Sequence, residues 1–248
     1  MNALFWNIRG VGRGEKCIFV KNLIKKHEIT FLGLVETKHR NTFLSRIKRM
    51  WGNDSYDWCE SLASETNSGG IIVIWDPNSF CVSQKMIGER WILLEGCVVK
   101  GNFNCCIGVV YGPCDRLGRS NMFDSLRGLS NTIDKPLLLL GDFNEVLHPR
   151  ERIGQFRYDR SIREFGGWVH DLQLIDIPLN GIRFTWARME SQSKLDRCFC
   201  TNEWLTKFPH LRLEGLKEES LTITHLSYLL KSMLIGDQSL LDALIVGF

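Results

Sequence analysis

No stretch of this chain is apolar for long enough to span a membrane. No low-complexity linker divides it. Its first residues, MNALFWNIRG, lack the basic start and the apolar core of a secretory signal. No basic cluster reaches the density of a nuclear-targeting signal. There is no CxxC pair, and the nine cysteines are odd in number. Cys105, Cys106, Cys198 and Cys200 lie in apolar runs, so they read as buried free thiols in a reducing compartment and not as a disulfide framework. What remains is a soluble, intracellular chain of 248 residues, 44% of them hydrophobic. That is enough for one large α/β domain, placed at residues 1–230, with 231–248 as a tail of unassigned character.

The net charge of +3 is too small to argue from, but its distribution is uneven. Residues 1–50 hold eleven lysines and arginines against three acids, an excess of eight, so the remainder is net acidic. A basic edge of this kind suits a polyanionic partner, and solvated helix faces would produce the same count.

The most informative stretch is PLLLLGDFNEVLHP, residues 136–149. Leu137 to Leu140 form a continuous apolar run between Pro136 and Gly141, the signature of a strand buried on both faces. Asp142 and Asn144 follow at i and i+2. Their side chains point the same way from an extended or turning segment, into one cleft at the tip of a rigid element. The same residue types also make ordinary turns, and this segment alone leaves both readings open.

In chain order, Ala3–Ile8 reads as a strand with Asn7 near its end. Residues 15–28 read as an amphipathic helix with Ile18, Val20, Leu23 and Ile24 inward. Ile29–Val35 is a second buried strand closing on Glu36, a carboxylate that requires Lys38, Arg40 or a metal as partner. Residues 42–50 suggest a short helix. Ile71–Trp75 and Phe80–Ser83 look like a hairpin, and residues 91–99 and 103–111 like a second antiparallel pair. Tyr111 before Gly112-Pro113 either leans over a cleft or edges the core. Residues 121–129 and 161–171 read as helices, the latter with Ser161 and Glu164 as a capping box. Asn180-Gly181 signals a hairpin. Trp186 fills a core or stacks on a base. Residues 193–200 read as a strand in which Asp196 needs a partner such as histidine. Residues 203–208 form a helical turn.

Six landmarks stand in a fixed order: Trp6-Asn7, Glu36-Thr37, Tyr111-Gly112-Pro113, Gly141-Asp142-Phe143-Asn144, Leu195-Asp196-Arg197 and His225. In this the chain resembles the endonuclease/exonuclease/phosphatase (DNase I-like) superfamily. Trp6-Asn7-Ile8-Arg9-Gly10 and Phe184-Thr185-Trp186 make it most similar to the endonuclease domain of plant LINE-type retrotransposons. The resemblance spans roughly residues 2–230. It implies a four-layer α/β/β/α sandwich of two packed mixed sheets, and metal-assisted hydrolysis of phosphodiesters. By resemblance, Glu36 holds Mg²⁺, or Mn²⁺ in its place. Asp142 orients or deprotonates the attacking water, Asn7 and Asn144 organise the site and the phosphate, and Tyr111 donates to a phosphate oxygen. His225, oriented by Asp196, contacts the phosphate or serves as the base; whether it or Asp142 does so is left open. Arg9, Arg13, Lys38 and Trp186 become nucleic-acid contacts. The implied partner is DNA, with RNA left open, in the nucleus, with no membrane and no obligate protein partner.

The sequence departs from the family pattern where Ser-Asp-His is usual before the last strand: Ile223-Thr224-His225 stands there. A hydroxyl at Thr224 cannot supply the missing carboxylate charge. Arg9 replaces an acidic residue of some repair members, and the segment around His225 and the C-terminal tail do not read as a clean last strand. Two readings follow: an endonuclease that nicks DNA to leave a 3′-hydroxyl, weakened at Thr224, or a decayed retroelement-derived domain that keeps the fold and nucleic-acid binding. A phosphatase for small phosphoesters is a third. Thr224→Asp is expected to raise cleavage or metal affinity, by roughly 10–100-fold if the aspartate works through the metal's surroundings. No change in either quantity, in nicking assays and metal titrations, would mean that the last motif is misaligned.

Overall fold

In the computed structural model, described for residues 1–10, 14–38, 44–62, 69–130, 132–154, 160–216 and 227–231 (backbone alone for 44, 130 and 227–231), the chain alternates between two sheets. It opens on β1 (Asn2–Asn7), crosses α1 (Gly14–His27) and returns as β2 (Phe31–Val35), parallel to β1. After α2 (Leu44–Trp51) come β3 (Asp57–Ser61) and β4 (Ile71–Trp75), which extend the same sheet antiparallel. The chain then changes sheet. β5 (Phe80–Ile87), β6 (Trp91–Val98) and β7 (Phe103–Tyr111) form an antiparallel meander, and α3 (Arg116–Ser130) leads into β8 (Leu137–Asp142), parallel to β7.

The remainder contributes to both sheets. β9 (Arg152–Ile153), α4 (Arg160–Asp171), β10 (Ile175–Asp176) and β11 (Leu179–Asn180) precede β12 (Trp186–Arg188) and β13 (Ser191–Ser193). β14 (Asp196–Cys200), α5 (Asn202–Lys207), β15 (Arg212–Leu216) and β16 (Ser227–Lys231) follow. The strand orders are β11-β15-β16-β1-β2-β4-β3 in one sheet and β10-β14-β8-β7-β6-β5 in the other, with β12-β13-β9 as a small third sheet.

Alternation along each central strand builds the layers. On β1, Ala3 and Phe5 face the opposite sheet, while Leu4 and Trp6 face α1 and α2. On β8, Leu138 and Leu140 enter the same central core, while Leu137 and Leu139 meet α3 and α4. Both faces of each strand are therefore covered, which explains the unbroken apolar runs. The architecture is a four-layer α/β/β/α sandwich. Among the described residues no helix is long and apolar enough to cross a membrane.

Several local expectations change. The segment just after His225 does form a last strand: β16 pairs antiparallel with both β1 and β15 inside the first sheet. Residues 71–83 are not a hairpin: β4 pairs with β2 and β3, and β5 with β6. The turn is real, with the Phe80 N–H donating to the Asp76 carbonyl at 3.0 Å, but it hands the chain from one sheet to the other, where Phe80 packs on Phe31. Asn180-Gly181 is not a hairpin either, since β11 pairs in parallel with β15. Ser161 lies inside α4 and Glu164 pairs with Arg116 and Arg160, so no capping box forms. In α1 the buried face carries Cys17 with Val20, Leu23 and Ile24, whereas Ile18 is 47% exposed.

Phe165, fully buried and 5.2 Å from Phe123 between ring centroids, anchors α4 on the second sheet. Phe165→Ala is expected to destabilise by about 3–5 kcal/mol in urea unfolding. Ile18→Ala should stay within about 0.5 kcal/mol. Comparable losses would place Ile18 in the core.

Candidate active site

The ends of five strands meet at one edge of the sandwich. β1 and β2 run parallel with Asn7 opposite Val35, so Asn7 and Glu36 emerge side by side from the first sheet. β7 and β8 run parallel with Tyr111 opposite Asp142, and β14 runs antiparallel with Asp196 opposite Asp142. Facing residues share a face of the sheet, so Tyr111, Asp142 and Asp196 form one row looking toward Asn7 and Glu36.

The contact between the sheets is polar. Asn7 Nδ2 donates to Glu36 Oε1 at 2.8 Å and to Asp142 Oδ2 at 3.1 Å. One amide thus holds two carboxylates together. Lys38 lies 3.6 Å from Glu36, the partner expected for a glutamate ending an apolar strand. Asp142 is 6% exposed. Burial pushes its carboxyl up to about 6. The Asn144 N–H and the Asn7 amide pull it back down, Glu36 raises it and Arg9 lowers it. The Tyr111 phenol is held well above its usual range, first by burial and then by Glu36 and Asp142, so it remains a donor.

The loops behind these side chains are fixed by the backbone. Asn144 accounts for both halves of the earlier ambiguity. Its N–H donates to Asp142 Oδ1 at 3.0 Å as in a turn, while its Nδ2 donates to the Gly112 carbonyl at 2.6 Å and ties the β8 loop to the β7 loop. Gly112 and Gly141 permit this approach: a Cβ would lie 2.4 Å from the Phe143 carbonyl oxygen and 2.3 Å from that of Val110, respectively. Phe143, between the two polar residues, is driven the other way into the Phe165, Trp168 and Phe199 cluster. Arg9, Glu36, Lys38 and Asn144 all have φ between 47° and 55°. Left-handed backbone at non-glycine residues is strained; four of the eight such described residues stand around the site, and Glu28, Asn102, Gln173 and Met189 lie elsewhere.

Sequence reasoning missed several supports. Glu145, 2% exposed, pairs with Arg119 at 2.9 Å and Arg152 at 3.2 Å. Arg119 also donates to the carbonyls of Pro113 and Cys114 and to Ser161 Oγ, joining both site loops to α4. Glu145 directly follows Asp142-Phe143-Asn144 and was findable; Arg119 carries no local signal. Thr185 Oγ1 accepts the N–H groups of Leu195 at 2.8 Å and Asp196 at 3.0 Å, fixing the start of β14. Arg90 lies 5.7 Å over the Tyr111 ring. Trp186 stands apart on β12, half-buried against Val146, Ile162 and Leu195. Arg13, Arg40, Thr224, His225 and the tail beyond residue 231 lie outside the described residues.

Among the described residues no group of three or more His, Cys, Asp or Glu side chains is arranged to hold a metal ion. The two clustered carboxylates nevertheless suit a hard cation such as Mg²⁺, which binds through one or two carboxylates and keeps its other positions for water and phosphate.

Residues 4–216 match the model of the Endonuclease/Exonuclease/phosphatase family. No protein of curated function matches the chain by sequence. Among solved structures, the endonuclease domain of TRAS1, a telomere-specific non-LTR retrotransposon, is 12% identical with a TM-score of 0.69, covering 95% of this chain and 99% of that one. An AP endonuclease from Archaeoglobus fulgidus is 14% identical with a TM-score of 0.72, covering 94% and 100%. A mannosyl-6-phosphatase from Bacteroides thetaiotaomicron is 13% identical with a TM-score of 0.61, covering 94% and 100%. At these identities the likeness concerns the fold.

The pKa causes at Asp142 can be separated by substitution. Between its ordinary value and about 6 the folded state holds a proton that the unfolded chain releases, so this group's stabilising contribution is present at low pH and lost as pH rises through about 6. In metal-free protein, Asn7→Ala is expected to raise the Asp142 pKa and Glu36→Gln to lower it, read from carboxyl carbon shifts by NMR. Shifts of the opposite sign would dissolve the proposed cluster.

Proposed function

We propose, from the premise that this chain belongs to the endonuclease/exonuclease/phosphatase family, that it is a Mg²⁺-dependent endonuclease that nicks DNA and leaves a 3′-hydroxyl. The observation that carries the reading is the Asn7 amide bridging Glu36 and Asp142 across the two sheets.

Glu36 would hold the Mg²⁺, or Mn²⁺ in its place. When bound, the cation supplies charge to the phosphoryl and leaving-group oxygens. Asp142 accepts a proton from the attacking water; burial, which raises its carboxyl above the ordinary aspartate range, makes it a stronger base than an exposed aspartate. Asn7 keeps the two carboxylates in place and Asn144 keeps the Tyr111 loop in place. Tyr111, protonated, donates toward a non-bridging phosphate oxygen where charge grows. Asp196, opposite Asp142, orients His225, which contacts the phosphate or shares the base role. Arg9, Arg13 and Lys38 contact the nucleic acid, and the setting is the nucleus; Trp186, packed on Val146, Ile162 and Leu195, takes the core role instead. The competing reading, a decayed domain that binds without cutting, is favoured by one residue, Thr224, where the family carries a carboxylate.

A supercoiled-plasmid assay decides between them. Mg²⁺ should produce nicked circles and EDTA should suppress them. Asp142→Asn should lower the rate by about 100-fold or more while circular dichroism stays unchanged. Persistent cleavage by the variant would sink the assignment of Asp142. A folded wild type that never nicks would favour the decayed domain.

A further inference from the structure

Beside the β8 loop, toward the small third sheet, lies an open cavity of about 240 Å³. Arg150, Glu151, Leu179, Ile182, Arg183 and Lys194 line it. Leu179 and Ile182 are half-buried and give it an apolar wall, and the rest is charged. Glu151 is already engaged: Arg197 donates to it, as do the N–H groups of Leu147 at 2.8 Å and His148 at 3.1 Å. Lys194 is held by Asp176 at 3.0 Å. Arg150 and Arg183 differ. Both are exposed, and among the described residues neither is paired with a carboxylate. Arg183 is nonetheless positioned, its Nη2 donating to the Arg150 carbonyl at 3.3 Å and its guanidinium lying 4.9 Å over the Phe184 ring.

One positioned guanidinium, that of Arg183, and a second exposed one, that of Arg150, at the rim of an apolar-walled hollow match a phosphodiester with its sugar, since the planar fork of arginine fits phosphate oxygens. The volume is below the roughly 300–1,000 Å³ of pockets that enclose a whole small ligand, so the hollow suits one unit of a longer molecule. Its position fits as well. The Lys194 N–H donates to the Glu151 carbonyl at 3.0 Å, and Lys194 precedes Asp196, the strand partner of Asp142, by two residues.

We propose that this cavity is a second phosphate subsite, in which Arg150 and Arg183 take the nucleic-acid backbone to one side of the bond to be cut. The inference rests on the nuclease reading and deepens it, because it makes the substrate a polymer and not a small phosphoester.

The test is binding of the full chain to a fluorescent DNA duplex of about 20 base pairs in EDTA, across a series of salt concentrations. Relative to wild type, Arg150→Gln/Arg183→Gln should weaken binding several-fold at low salt. It should also reduce the slope of log affinity against log salt by about two, or by about one for each single variant. Arg150→Lys/Arg183→Lys, which keeps both charges, should retain the slope. If the folded double glutamine variant, or both single variants should the double fail to fold, keeps the wild-type affinity and slope, the subsite is overturned. The slope change without any plasmid nicking would leave the subsite standing and remove the catalytic reading. Nicking with an unchanged slope would remove the subsite alone.

Discussion

One amide group joins the two halves of this molecule where its chemistry is concentrated. Asn7 ends a strand of one sheet and donates both to Glu36, on the neighbouring strand, and to Asp142, at the tip of the central strand of the other sheet. Two carboxylates brought this close repel, and burial of Asp142 sharpens the penalty. The arrangement persists because the sheets behind it are packed through a continuous apolar core, with Phe5, Phe31, Val109, Leu138 and Leu140 buried between them. The sandwich supplies the rigidity, and the polar edge uses it.

The support extends outward in layers. Phe143 sinks into an aromatic cluster, so the residues on either side of it cannot drift. Glu145 and Arg119, both buried, clamp the loops that carry Asp142 and Tyr111 against α4. A buried ion pair of this kind adds little net stability compared with apolar packing, but breaking one partner leaves an uncompensated charge. Its value here is position. The positive φ angles of Arg9, Glu36, Lys38 and Asn144 agree, because strained backbone survives only where the surroundings over-determine it.

Much of this was legible in the residues. The apolar runs at 3–8, 31–35 and 137–140 identified strands covered on both faces, since only burial on two sides tolerates an unbroken run. The polar residues at their ends, Asn7, Glu36 and Asp142, identified the edge where a site could form. Local signals failed where the same pattern serves two topologies. Ile71–Trp75 and Phe80–Ser83 with a turn between them describe a hairpin or a change of sheet equally well, and the choice depends on Phe80 meeting Phe31 across the core. Asn180-Gly181 marks a turn but not the parallel pairing of β11 with β15. Ser161 and Glu164 have capping-box spacing, yet Arg116 and Arg119, distant in sequence, claim both side chains.

The sequence by itself determined the long central strands, most of the helices and the candidate polar residues, because these follow from side-chain type and spacing along one segment; β3, β15 and β16, whose patterns are weaker, it did not. Only the tertiary structure decided which candidates act together. Asn7, Glu36, Tyr111, Asp142 and Asp196 become neighbours through strand register and sheet packing, and Trp186 is set apart on a small separate sheet. Hydrogen bonds such as Asn7 to Asp142 span 135 residues of chain, a distance over which no local pattern carries information. The arginine pair at 150 and 183 appears for the same reason: two unremarkable surface residues acquire a shared hollow only when the loops that carry them fold against each other.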